Sequence, residues 1–469
     1  MTRVPESSSK VDITLFGATS FVARHVLTYL MQTSLTIAPL QITLAGRNQN
    51  KLDALCEEFT TKMMHLSVIH ESTSCGHCVF DTLVADAQDK TALQQMAART
   101  KVVIACAGPF EQYGSHVVAA CAAQGTDYVD ITGEVSWAGR MRLLHGPTAQ
   151  KSGARILSLC GFDSVPSDLA VFLAVEKLRL AAPSAHIQEA YTWHHVLGTA
   201  NGGTLMTAAQ MPLDWKYCWS QPVPFLLDDP LVLTHPKIRS DPSYQSTKNR
   251  LAKAEWKNQL PMFHTIFRLG ASAPFFMAPI NSKVVHASAV AMNYGSEFVY
   301  KERFLPTGYK MTTALRMLAI IPVIMIQIGT LLAMLVLWMP YLGTYLVQRL
   351  APPGTGMTEE QCRMGFAKVY AEVSTAADPV TNVQDRANVM LEFQGDPGNW
   401  VTAQCVAESA LALLLDKEKL PPKSEDGFGT PAQLLGHVLL YRLQHSSVRP
   451  VQISNHVRRI NHSEWRMWP

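Results

Sequence analysis

The sequence predicts an α/β protein: a Rossmann-like doubly wound parallel sheet followed by a second, mixed α+β domain that carries an apolar, membrane-associated insertion. Three observations predict it. Residues 11–24 pass from an apolar strand through a tight turn into a helix, and strand and helix patterns then alternate to about Leu169. Beyond Leu180 strands recur with little helix between them, until an uncharged run from Met317 to Gln348 interrupts the pattern. Alternating βα units build parallel sheets covered by helices, whereas grouped strands build a separate mixed or antiparallel layer.

The first unit is Val11 to Phe16, then Gly17-Ala18-Thr19-Ser20-Phe21-Val22-Ala23, then a helix to about Leu30. Gly17 stands where a strand must reverse into a helix. Ser20 and Ala23 hold the second and third positions of a G-x-x-G-x-x-G pattern; both are small, so backbone can approach a pyrophosphate and the helix can lie close on the strand. Unpaired N–H groups at the start of that helix suit phosphate. The second strand, Gln41 to Gly46, ends in Arg47, with Asn48 and Lys51 just beyond. An acidic residue here would bond the 2′-hydroxyl of NAD, whereas a guanidinium offers a fork to the 2′-phosphate of NADP, so the expected cofactor is NADP(H).

A polar helix follows near Asn50 to Lys62, and then an irregular piece from Ser72 to Asp81. Cys75-Gly-His-Cys78 within it has chelating spacing, but no second Cys or His pair stands at a suitable distance, and it reads as a surface loop with no metal expected. Thr82 to Asp86 and Lys101 to Cys106 read as strands separated by a helix from Asp89 to Arg99, with Asp86 closing its strand where adenine would lie. The loop Ala107-Gly108-Pro109 leaves the C-terminal end of the next strand, where doubly wound sheets bind ligands, and is expected beside the nicotinamide. Further strands at Tyr128 to Ile131 and Arg155 to Cys160 each end in a Gly-containing loop.

Hydride transfer from a nicotinamide needs a general acid for the other atom of a C=C, C=O or C=N acceptor. Tyr113, Glu134 and Asp163 are the candidates, because each stands just past the C-terminal end of a strand. Each also has a structural alternative: a packing aromatic, a loop hydrogen-bonding carboxylate and a cap, respectively. Asp168, five residues after Asp163, reads as the cap or first turn of the next helix. The sequence has no G-x-S-x-G elbow, no H-E-x-x-H and no P-loop, so hydrolase and kinase readings lack a starting residue.

The segments GATSFVA, LAGRNQNKL, AGPFEQYG, DYVDITGE and CGFDSVPSD, with Asn201-Gly-Gly-Thr204, Met277 to Asn281 and Gly395 to Gly398 in the same order, resemble the saccharopine dehydrogenase-like oxidoreductases over roughly residues 11–440. That family includes the trans-acting enoyl reductases of bacterial lipid synthesis. The resemblance implies an NADP(H)-dependent oxidoreductase acting on a hydrophobic or lipid-linked acceptor, enoyl or carbonyl, in lipid or glycolipid metabolism. Two alternatives stand beside it: an inactive NADP-binding scaffold on a membrane or lipid droplet, and saccharopine reductase-type amino-acid metabolism. Saccharopine is small and highly charged, and no basic pocket for it can be located in the sequence.

The domain boundaries follow from this pattern: a disordered stretch over 1–10, an NADP-binding domain over 11–170, a substrate domain over 171–400 that leaves a homodimer open, and C-terminal helices with a basic tail over 401–469. The segment 317–348 is too long for one span, since a straight helix would reach about 48 Å against a ~30 Å hydrocarbon core. Pro322, Pro340, Gly329 and Gly343 offer breaks, and Arg316 and Arg349 flank it, so a hairpin or in-plane element with both flanks cytosolic is expected. A buried core helix pair is the alternative. The expected location is therefore the cytosolic face of a membrane, with a lipid droplet or endomembrane as its surface. A net charge of +3 over 469 residues and the lack of any Lys/Arg stripe set nucleic acid aside. Nine cysteines, an odd number, several of them in apolar runs, suggest free thiols in a reducing compartment.

Overall fold

In the computed structural model the described residues are 10–37, 39–69, 78–183, 185–198, 229–259, 272–305, 341–352 and 354–461, with scattered positions at 205–209 and 325–339. The N-terminal half alternates as the sequence predicts: β1 (Val11–Phe16), α1 (Phe21–Ser34), β2 (Gln41–Gly46), α2 (Gln49–Ile69), β3 (Val79–Val84), α3 (Lys90–Ala98) and β4 (Thr100–Ala105). It continues with α4 (Phe110–Tyr113), α5 (Ser115–Gln124), β5 (Asp127–Asp130), α6 (Val135–Ser152), β6 (Ile156–Leu157) and α7 (Val165–Ala181). All six strands are parallel, in the order β3-β2-β1-β4-β5-β6. The order reverses between β1 and β4, which opens a crevice at their C-terminal ends.

Several boundaries differ from the sequence reading for physical reasons. The third strand begins at Val79, because its N-terminal half pairs with Gln41 and Ile42 of β2 as an edge strand and needs little apolar character. Helix α6 starts at Val135, directly after Glu134, and carries Pro147. The Cys75–Cys78 pair falls partly in 70–77, outside the described residues; Cys78 itself is a buried free thiol.

The second sheet is mixed, as expected, with strand order β12-β11-β10-β7-β9-β8. Its strands are β7 (Ile187–Leu197), β8 (Ala273–Pro274), β9 (Val299–Phe304), β10 (Phe366–Thr375), β11 (Val383–Gln394) and β12 (Gln452–Asn461). Only β7 and β9 pair in parallel. On one face Ala367, Val369, Ala371 and Val373 of β10 lie level with Phe393, Leu391, Val389 and Ala387 of β11, all buried. The apolar helix α7, which follows β6 of the first sheet in the chain, packs on that face. The intervening helices are α8 (Tyr244–Gln259), α9 (Ala278–Ala291), α10 (Leu342–Leu350) and α11 (Glu359–Met364).

The C-terminal part returns to both layers. Helix α12 (Thr402–Leu415) packs against α1, β4 and β5. Two further helices follow, α13 (Pro431–Leu434) and α14 (Gly436–Gln444), broken where Gly436 takes a φ of 45°. The tail expected to be merely basic forms strand β12, so Arg458 and Arg459 stand opposite Arg386 and Asp385 of β11.

Residues 317–324 lie outside the described residues, as do several positions from 326 to 340, so the expected hairpin falls largely there. No helix among the described residues is long and apolar enough to cross a membrane. Positions 335–337 are helical, and the chain then bends into α10 through Tyr341, whose φ is 64°, with Gly343 tight against the Leu337 carbonyl. Val347 of α10 packs with Leu205, Met206 and Ala209, while Tyr341, Leu342, Tyr345 and Leu350 are exposed.

Candidate functional site

The crevice is built first by a close approach of backbones. Gly17 has a φ of 75°, and a Cβ there would lie 2.8 Å from both Cβ and N of Ala107, so only glycine lets β1's turn sit against the β4 loop. The turn is fixed to β2, since the N–H groups of Gly17 and Ala18 donate to the Ala45 carbonyl at 2.9 and 3.1 Å. Ser20 caps α1 by accepting from the Ala23 N–H at 3.3 Å. That leaves the N–H groups of Phe21 and Val22 at the start of the helix aimed out of the turn, the arrangement that holds a phosphate. Ala18 and Ala23 are fully buried and let α1 lie on the sheet.

At the end of β2, Arg47, Asn48 and Lys51 are all exposed. Asn48 accepts from the Lys51 N–H at 3.0 Å and so caps α2. Arg47 makes no ion pair or hydrogen bond among the described residues, which leaves its guanidinium available to a 2′-phosphate. Gly46 accepts from the Ala85 N–H at 2.9 Å, bringing the β3 end alongside; Asp86 follows, exposed, and accepts from Gln88. A bare turn, a helix start and a free guanidinium on adjacent strand ends thus fit NADP(H).

Toward the nicotinamide end, Ala107, Gly108 and Pro109 lead into α4. Glu134 accepts from the Phe110 and Glu111 N–H groups at 2.8 and 2.7 Å, so its carboxylate caps α4 and fixes the loop after β4. That is its structural alternative, and it commits both oxygens to backbone. Tyr113 ends α4, partly exposed at the crevice. Asp130, at the end of β5, accepts from Thr132 N, Leu159 N and Ser158 Oγ, and burial pushes its carboxyl up to about 6.

Asp163 stands in the β6–α7 turn, partly buried; burial and the nearby Glu302 carboxylate push it up to about 6. It receives no hydrogen bond among the described residues. Asp168 is not at the crevice: in the first turn of α7 it accepts from Ser288 Oγ and the Ala432 N–H, binding α7 to α9 and α13.

The second domain adds side chains that sequence reasoning missed. Glu302 of β9 lies with its Oε1 2.6 Å from His194 Nε2, 2.9 Å from Ser167 Oγ and 3.0 Å from Asn281 Nδ2. All four residues are at most 1% exposed. Ser164 donates to Asn281 Oδ1 at 3.1 Å, which links this group to the turn that holds Asp163. The available signal was alternation: in Val299–Phe304, Glu302 shares the inward parity of Tyr300, and a carboxylate on a buried face needs a reason.

Comparison with known proteins agrees with this geometry. The family model described as the saccharopine dehydrogenase NADP binding domain matches residues 13–155. A provisionally named trans-acting enoyl reductase of Mycobacterium tuberculosis is 30% identical, with 96% of this chain and 98% of that protein covered. A trans-acting enoyl reductase of Mycobacterium ulcerans is 29% identical over 93% of this chain and 96% of its own length. Among solved structures, apo saccharopine dehydrogenase (L-Glu forming) from Saccharomyces cerevisiae aligns at a TM-score of 0.45 and 12% identity, over 95% of this chain and 100% of that one. The chain belongs to the saccharopine dehydrogenase-like oxidoreductases, the family that includes the trans-acting enoyl reductases, and is an NADP(H)-binding oxidoreductase.

Proposed function

We propose that this oxidoreductase reduces the C=C bond of a hydrophobic, lipid-linked enoyl group, with Asp163 as the acid, at the cytosolic surface of an endomembrane or lipid droplet. The observation that carries the reading is Asp163, a carboxyl pushed up to about 6 by burial and Glu302, in the turn after β6 and so at the same end of the sheet as the Gly17 turn and Arg47. When bound, NADPH supplies a hydride to the β carbon of the acceptor. Asp163 gives its proton to the α carbon, and its carboxylate regains one from water, so one enoyl group, one reduced cofactor and one proton balance one saturated acyl group and one oxidised cofactor. Glu134 holds the β4 loop in place, and Tyr113 lines the acceptor's approach.

The surface location is supported by Met325, Ile328, Leu332, Leu335, Met339, Leu342 and Tyr345, which recur every three or four residues and are each at least 40% exposed. The first five precede the bend at Tyr341 and the last two lie in α10 after it, so apolar side chains are exposed on both sides of the bend. No carboxylate occurs from Met317 to Gln348, and Arg349 closes the segment, as suits an anionic lipid surface.

The test is NADPH oxidation by the purified protein, offered enoyl thioesters of increasing chain length, enones, and glutamate with 2-aminoadipate 6-semialdehyde. Turnover that rises with chain length, together with flotation on phosphatidylcholine/phosphatidylserine vesicles that Leu335→Asp/Met339→Asp abolishes, is the expected result. Robust formation of saccharopine in place of enoyl reduction would overturn the substrate assignment, and failure to float would overturn the location.

A further inference from the structure

The chain between α10 and α11 runs against the start of α1, more than three hundred residues away in sequence. Gly356 lies on the ring of Phe21, the first residue of α1: a Cβ at position 356 would stand 2.3 Å from Cε1 and 2.4 Å from Cζ of that ring. The ring also meets His25 edge-on, with centroids 4.9 Å apart. A backbone comes this close to a ring only where it carries no side chain. Phe21 is one of the two residues whose N–H groups leave the Gly17 turn unpaired, so Gly356 stands one side chain away from the place that a phosphate takes at a helix start.

The segment is pinned at both ends. Gly354 takes a φ of 92° in open space, and beyond it the Thr355 N–H and hydroxyl both donate to the Pro352 carbonyl, at 3.1 and 2.7 Å. At the other end the Thr358 N–H donates to Gln361 Oε1 at 3.0 Å and the Gln361 N–H to Thr358 Oγ1 at 3.3 Å, a capping box that starts α11. The Asp396 N–H donates to the Cys362 carbonyl at 2.7 Å and fastens α11 to the turn after β11. Between these points Gly356 is exposed and Met357 half-buried, and their two N–H groups donate to nothing among the described residues. Successive free backbone N–H groups are anion ligands. Glu359 and Glu360 follow in the first turn of α11, where they serve that helix's own positive end, and Glu359 lies 4.0 Å from Arg363.

We propose that residues 354–357 form a second phosphate-binding segment: the Gly356 and Met357 N–H groups close on the pyrophosphate of bound NADP(H), which is thereby held between the start of α1 and a loop of the substrate domain. This rests on the Gly17 turn as the phosphate site. The division of labour with Arg47 is then defined by chemistry. Arg47 serves the 2′-phosphate that only NADP(H) carries, whereas the segment serves the two bridging phosphates that NADPH and NADH share.

Amide hydrogen exchange read by mass spectrometry tests this on the unaltered protein. Saturating NADP+ should slow exchange in the peptide that holds Gly356 and Met357 as well as in the one that holds Gly17 to Val22. 2′-Phospho-ADP-ribose, which keeps the pyrophosphate and lacks the nicotinamide, should protect both equally. Protection of the Gly17 peptide alone would overturn the second segment and leave the cofactor site standing. Protection of neither would remove the Gly17 turn as the phosphate site, and this inference with it. Gly356→Ala supplies a second reading, since its methyl meets the Phe21 ring and should lift the segment off the turn. The Kd should rise by about tenfold for NADPH and NADH alike, the worth of one hydrogen bond to a charged group, with the thermal midpoint unchanged. In a Phe21→Ala background, where the ring is gone, the same substitution should leave the Kd as it is. A loss confined to NADPH would move the contact to the 2′-phosphate and refute the pyrophosphate assignment, and unchanged affinity for both cofactors would show that the segment holds neither.

Discussion

Arg47 ends β2 with its guanidinium exposed and unengaged among the described residues, so replacing it removes a cation without breaking a contact that holds the fold. Arg47→Ala should leave stability unchanged and weaken NADPH, but not NADH, by about 1–3 kcal/mol, the value of a charge-assisted pair to the 2′-phosphate. Fluorescence titration with both cofactors measures it, and equal affinities before and after the change would refute the role. At this scale the cofactor end was legible in the sequence, because a turn glycine and a strand-end cation obey local spacing rules. The proposed acid end was only half legible. Asp163 could be placed from its loop, but Glu302, His194, Asn281 and Ser167 come from four separate stretches, and no spacing rule joins residues that meet only when α7, α9 and the second sheet pack. Glu134 shows the converse: its position suggested chemistry, while its two backbone hydrogen bonds show it fastening a loop.

Helix α1 carries the cofactor turn at one end, and what steadies its other end is a polar contact buried between elements. Tyr29 Oη donates to Glu408 Oε1 at 2.6 Å, and Arg442 Nε reaches Glu408 Oε2 at 2.7 Å while its Nη1 reaches Asp416 Oδ2 at 2.8 Å. Glu408 sits in α12 at 1% exposure, and Arg442 in α14. The network therefore ties α1 to two helices that lie between β11 and β12 in the chain. Which face of α12 its lone carboxylate serves is set by a tyrosine nearly four hundred residues earlier, a pairing that no local pattern in the sequence shows. Glu408→Ala leaves Arg442 with Asp416 and Tyr29 with Ser446 Oγ at 2.6 Å, and should cost about 1.5–3 kcal/mol, the range for a hydrogen bond to a charged group. Chemical denaturation should show this as a lowered midpoint, and Tyr29→Phe should cost only about 1 kcal/mol. A Glu408→Ala protein as stable as the wild type would mean that the network contributes nothing.

Across the whole molecule, the two sheets are not successive units joined by a linker, because the chain crosses between them and returns: α12 covers the first sheet and β12 extends the second. Asp168 sits at a junction of this weave, with α7 on its own side, Ser288 of α9 at 2.5 Å and the Ala432 N–H of α13 at 2.8 Å. Burial pushes its carboxyl up to about 7, against an ordinary value of 3.8. A carboxyl raised in the folded state holds a proton that the unfolded chain has already released. Its contribution to stability is therefore complete below about pH 4 and is lost as pH rises through about 7, an effect on the order of a few kcal/mol. Asp168→Asn imitates the protonated form, since an amide oxygen can still accept from Ala432 and its nitrogen can donate to Ser288. The substituted protein should then show a flatter stability profile between pH 4 and 8, with the wild type falling relative to it as pH rises. Asp130 and Asp163, each raised to about 6, remain in both proteins, so the difference between the two profiles isolates Asp168. Urea midpoints measured at half-unit pH steps give that difference directly. If the two curves run parallel from pH 5 to 8, Asp168 titrates like an exposed carboxylate, and the junction does not couple proton binding to the joining of the two sheets.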